Sequence, residues 1–238
     1  MTGNDSERRN GTQARRGHPP SAAPRKGWGT SHSVTHLHRK LTFADPAQIP
    51  NPRLQALTAT DVALEALRRT LTSDATKGSA AKQFETAVAT VVWAYGLAPV
   101  QTDYAEQTKD GPDLIAVAPG GGIAVIECTI GLLKAQNKLA NLARRAVVTR
   151  ERMQVAAVGP PTVLPVIVTR LRRAEVEAEL GAATEAGVLV LTRENLESAM
   201  DQALLLQDGD AVFRRGLEAL ERSRADLATK RGQAPTVV

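Results

Sequence analysis

Residues 111–138 read GPDLIAVAPGGGIAVIECTIGLLKAQNK. Asp113 precedes the apolar run Leu114, Ile115, Ala116 and Val117, and a second run from Ile123 to Ile126 leads into Glu127. Both runs have strand length, and the turn residues Pro119, Gly120, Gly121 and Gly122 lie between them, so a hairpin followed by a helix is expected. A phosphate loop would instead need a Lys-Ser/Thr pair and a helix directly after the glycines. The hairpin sets an Asp and a Glu on neighbouring strands. Two carboxylates beside apolar strands repel each other and lose hydration. Their pairing points to a cation between them, and oxygen donors suit magnesium.

Pro112-Asp113 followed by Glu127-Cys128-Thr129 resembles the core of the PD-(D/E)XK nucleases, the restriction-endonuclease-like family of many restriction and repair endonucleases. The resemblance spans about residues 80–192 and implies an upstream helix bearing a glutamate, which Gln83-Phe84-Glu85 supplies. It implies an α/β fold with a restriction-endonuclease-like central mixed sheet flanked by helices. It also implies a Mg2+- or Mn2+-dependent endonuclease that acts on nucleic acid, DNA rather than RNA. In that family Asp113 and Glu127 would be direct metal ligands, the backbone carbonyl of Cys128 a further oxygen ligand, and Glu85 a ligand through water or a guide for the nucleophile.

The chain departs from the family pattern at one position. The lysine belongs two residues after the glutamate, where this chain has Thr129. A cation near the scissile phosphate stabilises developing charge, so a lysine from the following helix is expected in its place, Lys138 first and Lys134 second. Thr129 would then donate a hydrogen bond from the old lysine position. Lys134, Lys138 and Arg145 share one side of the expected helix, and Arg145 joins Lys138 as a candidate phosphate contact. The enzyme reading requires Glu85, Asp113 and Glu127 to meet at one pocket. Bland alternatives stand beside it: Glu85 as a solvated surface acid, and the two lysines and Arg145 as ordinary helix residues facing water.

Other chemistries lose ground by absence. No histidine follows His38, which excludes a folded Ser-His-Asp triad or Cys-His dyad and leaves Cys128 a poor nucleophile. Two carboxylates also serve glycosidases, but an aromatic content of 3% gives little for a sugar cleft. With 238 residues and 42% hydrophobic content the chain can build one α/β domain with a full core. No apolar stretch is long enough to span a bilayer, and the polar, basic first residues lack the apolar segment of a secretory signal. The single cysteine rules out an internal disulfide and fits a reducing cytoplasm.

The net charge of +5 is unevenly placed. Eight basic residues against two acidic ones give the first forty residues +6, which leaves −1 for the remainder. Residues 1–45 are expected to be a disordered basic tail, because they carry almost no branched apolar side chains. All four histidines, His18, His32, His36 and His38, lie there without a carboxylate or cysteine to complete a zinc site. A helical segment is expected over 46–78, the nuclease-like core over 79–207, and a C-terminal helix and tail over 208–238.

Within these limits Leu54, Leu57, Val62, Leu64, Leu67 and Leu71 predict one packing helix, capped by Thr58 or Thr60. A second helix is predicted over 80–95, a strand over 98–102, and a helix over 131–153 with Leu132, Leu139, Leu142, Ala146 and Val147 as its packed stripe. Strands over 163–169 and 188–192 alternate with helices over 171–185, 194–206 and 211–230, which predicts parallel strands added to the hairpin. Two functions of other classes remain. One is a nuclease-fold protein without catalysis that binds nucleic acid or a protein partner. The other is an interaction module whose terminal helices pair with another chain, as in a homodimer.

Overall fold

All seven residues of β3 (Ile123–Thr129) are buried, because its apolar run does not alternate and has a covering layer on each face. The computed structural model describes residues 51–61, 64–102, 111–133, 137–156, 161–202 and 208–232. The expected tail at 1–45, Val62 and Lys134 lie outside them. β1 (Ala98–Gln101), β2 (Leu114–Val117) and β3 form an antiparallel meander. β4 (Val163–Thr169) and β5 (Leu189–Leu191) continue it in parallel, in the sheet order β1-β2-β3-β4-β5. Parallel neighbours need crossovers, and helices supply them. The protein is therefore α/β, with a five-stranded mixed sheet flanked by helices.

The sheet separates two cores. On one face α3 (Ala80–Ala94) sets Phe84, Val88 and Val91 against Ile126, Cys128 and Val166. On the other, α4 (Lys138–Ala156) and α5 (Arg173–Glu185) bring Leu139, Leu142 and Val176 against Val125 and Ile167. The helices α6 (Arg193–Gln202) and α7 (Gly209–Lys230) contribute Leu196, Met200, Phe213 and Leu220 to the first core. The hairpin turn forms as expected. Gly121 takes φ +88°, and the Ala118 N–H bonds the Gly122 carbonyl. A side chain at Gly122 would run into the Phe213 ring.

The segment before α3 departs from expectation. Two helices, α1 (Pro52–Thr58) and α2 (Glu65–Thr72), replace the single one predicted. Neither threonine caps a helix start. The hydroxyls of Thr58 and Thr60 turn back to the carbonyls of Gln55 and Leu57. The Asp61 carboxylate then accepts the N–H groups of Ala66 and Leu67, both at 2.9 Å, and starts a new helix. Asn51 caps α1 and also donates to the Ala94 carbonyl at 2.9 Å, so the small helix is tied to the end of α3.

A second correction concerns α4. It begins at Lys138 and not near residue 131. Leu132 therefore lies before the helix and is 51% exposed, while Val147, one step round from buried Ala146, is 48% exposed. Among the described residues no helix is long and apolar enough to cross a membrane.

Candidate active site

β2 pairs with β3 through Leu114 and Ile126, and one step further the same register sets Asp113 opposite Glu127. Asp113 leans onto β3, where its Oδ2 accepts the Cys128 N–H at 2.7 Å. Strand alternation then parts the next two side chains. Cys128 enters the core beneath α3, and Glu127 turns to the face that α4 covers.

Glu127 is 4% exposed, and a buried carboxylate needs charge and hydrogen bonds around it. α4 provides both. Asn137 sits in the left-handed region at φ +58°, and Lys138 opens the helix immediately after it. Arg145 follows two turns later on the same side. Lys138 Nζ donates to the Cys128 carbonyl at 2.9 Å and stands 4.0 Å from Glu127 Oε2. Arg145 Nη1 donates to Glu127 Oε1. Both backbone polar groups of Cys128 are thus engaged, its N–H by Asp113 and its carbonyl by Lys138.

The expected trio of acids is divided. Asp113 and Glu127 come together at the end of the β2–β3 ladder. Glu85 lies on α3, across the sheet from Glu127, where Lys82 Nζ is 3.1 Å from its Oε2. Glu85 still acts on the centre of the cluster. Burial pushes the Cys128 thiol well above its ordinary range, Asp113 and Glu85 add to that, and Lys138 and Lys82 oppose it. A thiol so held stays protonated and serves as a packing group.

Thr129 is used locally. Its hydroxyl donates to the Gly131 carbonyl at 3.3 Å and accepts the Gly131 N–H at 3.2 Å, which closes the turn after β3. That turn is braced from outside, because Glu179 of α5 accepts the Leu133 N–H at 2.6 Å.

Among the described residues no three His, Cys, Asp or Glu side chains gather as a metal-holding group. Magnesium does not require one. It is commonly held by one or two carboxylates, with waters and substrate phosphates completing the shell. Asp113, Glu127 and the Cys128 carbonyl are three hard oxygen donors about one residue of β3, so the donor set suits such an ion. Lys138 and Arg145 are cations resting on two of these donors, the Cys128 carbonyl and Glu127.

Sequence reasoning placed Arg145 as a phosphate contact and did not find its pairing with Glu127. The signal was present in the spacing: seven residues from Lys138 is two helical turns, so a helix that delivers one head group to Glu127 delivers the other. The tie of Lys82 to Glu85 is a helix neighbour pair three residues apart and is legible in the sequence, whereas the tie of Glu179 to the turn carries no such mark. Compared with protein-family models and with curated proteins, the chain matches none.

Proposed function

We propose that the protein is a metal-dependent phosphodiester hydrolase, an endonuclease of the PD-(D/E)XK kind in a restriction-endonuclease-like fold, acting on DNA in the cytoplasm. The observation that carries this reading is the position of Lys138, whose ammonium reaches back to the Cys128 carbonyl at 2.9 Å beside Glu127. A helix after β3 thereby supplies the cation that the residue at 129 lacks.

In this reading Asp113 and Glu127 hold the magnesium or manganese ion, with the Cys128 carbonyl as a further donor. A bound ion would supply a Lewis acid for the phosphate and would lower the pKa of a bound water. Lys138 is the group that meets the phosphate. Its head is a compact, hydrated charge on a flexible stem, 23% exposed, so it can exchange the Cys128 carbonyl for a phosphate oxygen. Thr129 shapes the turn, and its hydroxyl is committed to Gly131. Glu85 influences the cluster from the far face, through the field at Cys128.

Cleavage of plasmid and short duplex DNA with Mg2+ or Mn2+ tests the reading. Glu127→Ala and Lys138→Ala are each expected to lower the rate by at least about a hundredfold, the usual scale for a group that stabilises transition-state charge. Equal rates for wild type and Glu127→Ala would remove the assigned site, and an unaffected Lys138→Ala would refute the relocated lysine.

One observation favours the non-catalytic reading. Lys138 and Arg145 already neutralise Glu127, as they would in a nuclease fold that binds nucleic acid without cutting it. DNA binding that needs no metal, with no cleavage under any metal, is its expected signature.

A further inference from the structure

We infer that Arg145 is the chain's own stand-in cation for Glu127, and that it sets how tightly the site takes a divalent ion. The inference rests on the proposed metal-binding role of Asp113 and Glu127, and it assigns Arg145 to that site instead of to nucleic acid.

The side chain of Glu127 is 5% exposed and that of Arg145 is 18% exposed, so the pair is shielded from water. A carboxylate in such a place cannot stand alone. Lys138 is the weaker support, because its ammonium is 4.0 Å from Oε2, beyond hydrogen-bond reach, and donates instead to the Cys128 carbonyl. The main counter-charge is therefore Arg145.

Formal charges at the cluster balance without any added ion: Asp113 and Glu127 against Lys138 and Arg145. A divalent ion added to this set would bring an excess of two positive charges, which disfavours keeping both resident cations in place when the ion arrives. The hydrogen bonding of Arg145 shows which one is poised to withdraw. An Arg–carboxylate pair is strongest when two parallel N–H groups engage both oxygens. Here Nη1 alone bonds Oε1, and Nε is buried with no hydrogen-bond partner among the described residues. Charge holds this guanidinium in place without its full set of bonds. When it swings away, both oxygens of Glu127 are exposed to an ion.

Binding of Mn2+ to the full-length protein, followed through the electron paramagnetic resonance signal of the free ion, tests this. Arg145→Gln removes the charge and keeps a hydrogen-bond donor. It is expected to tighten Mn2+ binding about tenfold or more, since a unit charge a few ångströms from a divalent ion repels it strongly in a shielded site. Arg145→Lys keeps the charge and is expected to stay within about threefold of wild type. Metal-free Arg145→Gln is expected to melt below wild type, with Mn2+ raising its midpoint more than that of wild type. Should this variant fail to fold without metal, refolding in Mn2+ is expected to rescue it, and no rescue overturns the inference.

Unchanged or weaker binding by Arg145→Gln overturns the inference too. If wild type nevertheless binds Mn2+ and Glu127→Gln abolishes that binding, the metal site itself stands. Absence of Mn2+ binding in wild type and Arg145→Gln alike, or binding that survives Glu127→Gln, removes the metal site and the inference together.

Discussion

Tyr95 shows how a single side chain joins two parts of the fold. It sits at the C-cap of α3, and its hydroxyl donates to the Ala199 carbonyl of α6 at 2.6 Å. Burial pushes the phenol up from 10.0 to about 12; Arg215 works against this and Asp201 adds to it. A raised acid of this kind favours the folded state while it stays protonated. Its contribution is complete below pH 10.0 and is lost as pH climbs toward about 12, because the unfolded phenol ionises first. Tyr95→Phe is expected to cost about 1 kcal/mol, the usual net value of one hydrogen bond. Denaturant titration near neutral pH measures that loss. The tyrosine transition at about pH 12 should also vanish from the ultraviolet pH titration of the variant.

At the scale of elements, the approach to α3 is governed by one acid. The Asp61 carboxylate takes two N–H groups at the start of α2, where Leu64 holds a left-handed backbone at φ +53° and offers no side-chain cap. Asp61→Ala is expected to lower stability by about 1 kcal/mol, as loss of a helix cap does. Hydrogen exchange should localise the loss to residues 65–72; uniform loosening of the sheet would contradict the assignment. The same scale explains the candidate site. One helix, α4, brings Lys138 and Arg145 to the same carboxylate.

Charge is a property of the whole molecule, and it is unequally shared between the first forty residues, at +6, and the rest, at −1. Under the nucleic-acid reading, replacing those eight basic residues by glutamine is expected to weaken duplex binding and flatten its salt dependence, by about 0.9 log unit for each phosphate no longer neutralised. Anisotropy titrations across a salt series measure this slope. An unaltered slope would assign the phosphate-binding cations to the sheet-and-helix domain.

By itself the sequence determined the hairpin, the five strands, most of the helices and the acids that flank β2 and close β3. All of these follow from local periodicity and turn chemistry, which act over a few residues. It also singled out Lys138 as a residue able to reach back toward the carboxylates, and its ammonium stands 4.0 Å from Glu127 Oε2. The two helices before α3 were not legible, since side-chain bonds from Thr58, Thr60 and Asp61 overrode a continuous apolar spacing. Only the tertiary structure decided that Glu127 and Glu85 lie on opposite faces and that Arg145 completes the charge on Glu127. Those placements depend on which helix covers which side of β3, and the partner of Glu127 comes from a helix that packing brings over it, eighteen residues further along the chain.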